Sequence, residues 1–182
     1  MWATIVQGNL LNANETFICH QCNCLSLSGA GLYTQIAKKF PYADIYKERT
    51  EKINIFSALT KRFPDSQSPG NLLIRGNGED QRYVISILGQ VKPGAPSASF
   101  NKTDYPDNEL ARLNYFNHAL YEMTKIQKYV ENLPEKISFA FPWKIGCGLA
   151  GGNWEYYKRK IDAFAAIVNG AGWEVKIYKL FY

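Results

Sequence analysis

Two glycine-rich stretches more than a hundred residues apart, Leu27-Ser28-Gly29-Ala30-Gly31-Leu32 and Gly146-Cys147-Gly148-Leu149-Ala150-Gly151-Gly152, are the parts of this chain best suited to chemistry. A main chain that bends around an oxyanion must turn consecutive N–H groups inward, and glycine permits this with φ > 0 and no Cβ in the way. Where such a turn opens into a helix, the unpaired first N–H groups and the positive end of the dipole favour the same anion. Glycine also serves turns and helix stops for conformational reasons alone. Two such turns in the same strand-then-helix context point to one diphosphate held from two sides.

Three further groups stand close to the first turn. Asn23 follows a strand-like segment, where its amide can donate and accept at once and so suit a pair of ribose hydroxyls; equally it is a turn-forming Asx residue. His20 has an ordinary pKa near 6.5, which makes it the proton-transfer candidate if it faces the ligand. Strands alternate faces, so His20 is just as well placed to be an interior residue. The spacing Cys19-x2-Cys22-x-Cys24, with Cys147 far away, is a poor zinc pattern because these thiols lie on one apolar strand rather than in paired clusters on turns.

Positioning these groups falls to alternating strands and helices. Ala3–Val6 and Phe17–Cys22 read as strands around the turn region Gly8-Asn9-Leu10-Leu11-Asn12. Gly31–Phe40 reads as a helix that stops before Pro41, and residues from Tyr42 to about Glu51 as a second helical piece. Leu72–Arg75 and Arg82–Leu88 flank Gly76-Asn77-Gly78-Glu79-Asp80 as an antiparallel hairpin. Lys92–Asp107, with three prolines, reads as a long loop before a helix from Asn108 to about Asn132. On that helix Leu110, Leu113, Phe116, Leu120, Met123 and Ile126 form the apolar stripe. Ile137–Phe141 is a buried strand, Asn153–Val168 a helix with Asn153 as N-cap, and Trp173–Leu180 a closing strand. This order predicts an α/β protein, a three-layer α/β/α sandwich around a central mixed β-sheet, with both glycine turns at the carboxyl edge where such sheets bind ligands.

Composition narrows the classes. A chain of 182 residues, 46% hydrophobic and 14% aromatic, has the core of one domain, taken as residues 1–182. No run approaches the roughly 20 apolar residues of a membrane span, and Met1-Trp2-Ala3-Thr4-Ile5-Val6 reads as a strand and not a leader, so a cytoplasmic protein with no membrane partner is expected. Cysteines crowded on one strand form no disulfide scaffold. A net charge of +5, from 21 basic and 16 acidic residues, suits an anionic ligand but is too scattered for a nucleic-acid stripe.

The motifs taken together resemble one family. Gln7-Gly8-Asn9-Leu10-Leu11, His20-Gln21-Cys22-Asn23-Cys24, Ser28-Gly29-Ala30-Gly31-Leu32 with its helix to Phe40-Pro41, and Pro142–Trp154 are similar, in order and across nearly the whole chain, to the macrodomains. The branch most like it contains the ADP-ribose 1''-phosphate phosphatases and the deacylating ADP-ribosyl-glutamate hydrolases. That resemblance implies an ADP-ribose pocket with no cofactor or metal. Adenine would lie near Gly8, Asn9 and Leu10. The distal ribose would lie near Asn23 and the Ser28, Gly29, Ala30, Gly31, Leu32 turn. The diphosphate would lie between that turn and Ile145, Gly146, Cys147, Gly148, Leu149 and Ala150. The family often carries an acid where Asn9 stands, so Asn9 would accept from the adenine amino group through its weaker carbonyl.

Relatives that work through a covalent adduct have a lysine on the strand matching Leu72–Arg75 and an aspartate after the second turn's Gly-Leu. This chain has Arg75 and Ala150 there, and neither forms the adduct nor moves the proton. The resemblance therefore implies hydrolysis of ADP-ribose 1''-phosphate, with His20 as general acid/base and Asn23 placing ribose or water. The alternatives are a non-catalytic reader of ADP-ribosylated macromolecules, or an ADP-ribosyl ester hydrolase using other residues.

Overall fold

The computed structural model describes residues 2–56, 67–97 and 105–181. Six strands form one sheet: β1 (Thr4–Gln7), β2 (Phe17–Asn23), β3 (Leu72–Arg75), β4 (Tyr83–Gln90), β5 (Ser138–Pro142) and β6 (Glu174–Lys179). Their spatial order is β1-β6-β5-β2-β4-β3, all neighbours parallel except the β3–β4 hairpin, so the sheet is mixed as the sequence order implies. The helices are α1 (Leu32–Lys39), α2 (Ile45–Phe56), α3 (Glu109–Met123) and α4 (Trp154–Asn169).

Burial explains the order. β4 is buried along its whole length and β2 everywhere but Gln21, as central parallel strands covered on both faces must be, whereas β1 at one edge is mostly exposed. Phe17, Cys19, Ile85, Ile87, Phe139 and Phe141 face α3 and α4, whose Phe116, Leu120, Ile161 and Phe164 complete the larger core. Ile18, Val84 and Ala140 point the other way, onto Ile36 of α1 and the short 3-10 turns beside it, and Cys22 and Leu88 meet Ile45 and Tyr46 of α2. Two helical layers with the sheet between them make the three-layer sandwich.

Three expectations are corrected. α3 ends at Met123 and not near Asn132, because Thr124 bonds its hydroxyl back to the Tyr121 carbonyl and Lys125 leaves helical geometry before a 3-10 turn at Ile126–Lys128. Leu110, placed in the apolar stripe, is 67% exposed; it lies 120° from Phe116 at 100° per residue, so it turns away from the sheet. The second helical piece begins as a 3-10 turn at Pro41–Ala43 and runs on as α2 to Phe56. Of the loop expected over Lys92–Asp107, residues 98–104 lie outside the described residues. Among the described residues, no helix is long and apolar enough to cross a membrane.

Candidate functional site

β2 and β5 are neighbours, yet they pair only through Phe17↔Phe139 and Ile18↔Ala140. Beyond those residues the two strands part, and the glycine turns that follow them rim the opening at the carboxyl edge of the sheet. The two sequence motifs are thereby brought to one place.

The first turn leads into α1 through Gly31 at φ 66°, a left-handed conformation in which glycine is unstrained. Among the described residues no side chain caps this helix; the Thr34 N–H bonds the Gly31 carbonyl, and those of Leu32 and Tyr33 have no partner. Gly29 is required for a different reason: a Cβ there would sit 2.1 Å from the Tyr33 ring. Behind the turn, Asn23 Oδ1 accepts from the N–H groups of Leu25 (3.0 Å) and Ser26 (2.7 Å). The Asx reading of Asn23 therefore holds for its oxygen, while its NH2 has no partner among the described residues and remains free to donate.

The second turn is tighter than the sequence implies. N–H groups of Ile145, Cys147, Gly151 and Gly152 all bond within it, to Pro142, Lys144, Gly148 and Gly146 carbonyls. Among the described residues, the N–H groups of Gly146 and of Gly148, Leu149 and Ala150 at the tip have no partner. Gly146 takes φ 72°, and Asn153 caps α4 by accepting from Glu155 N at 3.0 Å, as its position in the sequence predicts.

Two buried arginines that sequence reasoning passed over hold these turns. Arg49 of α2 donates to the carbonyls of Asn23 (2.6 Å) and Ser26 (2.9 Å), lies over the Tyr46 ring and bonds Gln67. Arg112 of α3, with its side chain 2% exposed, donates to Asp107 through Nε and Nη2, and to the carbonyls of Gly94 (2.6 Å) and Ala150 (3.0 Å) through Nη1. Asp107 also accepts from the N–H groups of Val91 and Lys92. One ion pair thus ties the second turn to α3 and to the segment after β4. The signal was an arginine standing in an apolar stripe, one turn before Phe116.

His20 lies in phase with Ile18 on the face of β2 turned toward α1, in the interior reading left open by strand alternation. Its ring is 1% exposed, stacks near Tyr33 (centroids 6.4 Å apart) and bonds Ser86 Oγ through Nε2 at 2.8 Å. Burial lowers its pKa to about 4. An unfolded chain takes up this proton near pH 6.5 and the folded one only near 4, so the stabilising effect of the neutral ring is complete above pH 6.5 and is lost as pH falls toward 4. At about 1.4 kcal/mol per pH unit, the span amounts to roughly 3 kcal/mol. The urea midpoint of the wild type is expected to fall between pH 7 and pH 5 more steeply than that of His20→Gln; parallel slopes would show that the ring is not held neutral.

Gly8 donates its N–H to the Lys179 carbonyl (2.9 Å), Asn9 Oδ1 caps the turn at Leu10–Asn12 by accepting from Leu11 N (2.9 Å), and Leu10 is buried. All three lie at the carboxyl end of β1, two strands from β5 on the same edge. Ser28 and Gly29 line a cavity of about 510 Å³ with Tyr33, Asp44, Lys47 and Thr50. Ala30, Leu149 and Gly148 are at the rim, and Leu32 and Ile145 pack behind it. Cys147 bonds the Ile145 carbonyl, and burial raises its thiol to about 11. Arg75 forms a bidentate pair with Glu48 (3.0 and 2.8 Å), tying β3 to α2. Cys19 and Cys22 face opposite layers, and among the described residues no cluster of three or more metal-ligating side chains occurs. A larger hollow of about 720 Å³ at the amino edge is walled by Arg82 and Glu15. Both are already bonded, Arg82 to Ala13 and Glu15 carbonyls and the Glu15 carboxylate to Lys176 and Tyr178.

No protein-family model matches the chain. The "Uncharacterized 17.5 kDa protein in tk-vs intergenic region" of Enterobacteria phage T4 is 24% identical over 169 residues, 88% of either chain. The macrodomain of Thermus aquaticus DarG superposes with a TM-score of 0.63 over 97% of both chains at 20% identity. Thermosipho africanus DarTG, solved in complex with ADP-ribose, gives a TM-score of 0.55 over 98% of this chain and 42% of its own at 13% identity. The fold is that of a macrodomain.

Proposed function

We propose that the macrodomain fold of this chain serves to bind ADP-ribose across the opening between β2 and β5. One observation carries the reading: two parallel neighbours that separate after two paired residues, each running into a glycine turn with N–H groups that have no partner among the described residues. Such groups stabilise an anion, and a diphosphate is the anion long enough to touch both. The net charge of +5 favours its approach. The ADP-ribose seen in the Thermosipho africanus structure supports the same choice.

Adenine then lies toward Gly8, Asn9 and Leu10. Asn9 meets it with an oxygen that already accepts from Leu11, and Asn23 offers its NH2 to the distal ribose. The finer activity we propose is hydrolysis of the 1''-phosphate monoester, since amides that hold a diphosphate also stabilise a phosphoryl transition state. Water attacks phosphorus, the P–O bond to the 1'' oxygen breaks, that oxygen takes up a proton as ADP-ribose leaves, and orthophosphate is released. Proton transfer falls to water in the opening. His20, bonded to Ser86 and buried, contributes by holding β2 to β4.

Calorimetry with ADP-ribose is expected to show saturable one-to-one binding that ADP weakens by competition. ADP-ribose 1''-phosphate is expected to release orthophosphate, and His20→Gln to retain that release under conditions where it is folded. Absence of heat and of amide chemical-shift changes at millimolar ADP-ribose would refute the binding reading. Binding without phosphate release would leave a reader of ADP-ribosylated macromolecules.

A further inference from the structure

Among the described residues, Oε1 of Gln21 is the one buried side-chain polar atom with no partner. Its direction is dictated by its neighbours. Gln90 Nε2 donates to the Lys92 carbonyl at 3.0 Å, so Gln90 Oε1 faces Gln21 and can only accept. Gln21 therefore turns its own NH2 toward Gln90, at 2.8 Å, and its oxygen the other way. That oxygen stands between Gly89 of β4 and Gly146 of the second turn. A Cβ on Gly146 would come within 2.8 Å of it and one on Gly89 within 2.5 Å, so the two glycines leave the carboxamide its room.

A buried acceptor without a donor destabilises the free protein, and it is held in place here by two oriented amides. Gln21 lies two residues before Asn23, in phase with Phe17 and Cys19 on the face of β2 turned toward α3 and α4. A carbonyl oxygen repels phosphate, so its complement is a neutral O–H next to the diphosphate and not the diphosphate itself. We propose that Gln21 accepts a hydrogen bond from a hydroxyl of the sugar attached to the diphosphate, and that the Gln90 relay fixes it for that purpose. Gln21 is then the residue that distinguishes a nucleoside diphosphate sugar from the bare nucleoside diphosphate. This assignment rests on the ADP-ribose reading above.

The test measures binding of ADP-ribose and of ADP, which lacks the second sugar, to wild type, Gln21→Met and Gln90→Met, with thermal unfolding of each unliganded protein. Gln21→Met is expected to lose about tenfold or more in affinity for ADP-ribose and to keep that for ADP, because a site built around a hydroxyl acceptor rewards only ligands that carry the hydroxyl. Gln90→Met, which leaves Gln21 in place but frees its amide to rotate, is expected to lose several-fold for ADP-ribose alone. It also decides the matter if Gln21→Met does not fold. Equal losses for both ligands, the signature of an ordered water serving the fold, would overturn the assignment, as would unchanged binding of both. Wild type binding neither ligand would instead refute the pocket itself.

Discussion

Arg112→Met is expected to lower the stability of the folded chain by about 3–5 kcal/mol, the usual result of leaving one half of a buried ion pair behind. In a domain of this size that corresponds to a fall in Tm of roughly 6–20 °C. The magnitude follows from what the guanidinium leaves: the Asp107 carboxylate, fully buried, keeps its two backbone donors but loses its counter-charge, and the carbonyls of Gly94 and Ala150 lose a donor each. Arg112→Lys is expected to recover only a small part, since an ammonium cannot reach Asp107 and the Gly94 and Ala150 carbonyls together. Urea or thermal unfolding checks both variants. Arg112→Met within about 1 kcal/mol of wild type would show that the ion pair does not hold the second turn to α3.

Gly152→Ala is expected to leave the fold in place, at a cost of about 1–3 kcal/mol from overpacking, and to weaken ADP-ribose binding by roughly 10- to 100-fold, or about 1.4–2.8 kcal/mol. Its Cβ would stand 2.5 Å from the Gly146 carbonyl oxygen and 2.7 Å from the Tyr157 ring. That carbonyl accepts the Gly152 N–H at 2.9 Å and closes the turn, so displacing it swings the tip amides of Gly148, Leu149 and Ala150 away from the ligand. Gly148→Ala is the control, because a Cβ at that position meets nothing within 4 Å. Calorimetry on the pair separates turn geometry from glycine content. Equal affinities for ADP-ribose would show that the closed turn is not what the ligand uses.

Much of the architecture was legible because hydrophobic period and turn chemistry are local. The β3–β4 hairpin announced itself in Gly76–Asp80, the N-cap in Asn153, and the central strands in their unbroken apolar runs. The site was legible to the extent that glycine is local too: both turns were found, and the observed φ of Gly31 and Gly146 gives the reason for their residue type. The end of α3 was misplaced because Thr124 and Lys125 carry weak stop signals against continuing apolar spacing. His20 posed a different difficulty. On a strand buried on both sides, neighbouring residues look alike in sequence, and only the layer each one meets tells an interior imidazole from one facing the ligand.

The order of strands and helices, the two glycine turns and the cap at Asn153 were determined by the sequence alone, since each depends on residues within a few positions of one another. Tertiary structure decided everything that joins distant segments. Examples are the parting of β2 from β5, the seating of Arg49 and Arg112 behind the turns, the bonding of Ile145, Cys147, Gly151 and Gly152 N–H groups within the second turn, and the oxygen of Gln21 with no partner among the described residues. The physical reason is that a polar group's role is set by its partners, and the partners of Arg112 and Gln21 lie up to 38 and 69 residues away.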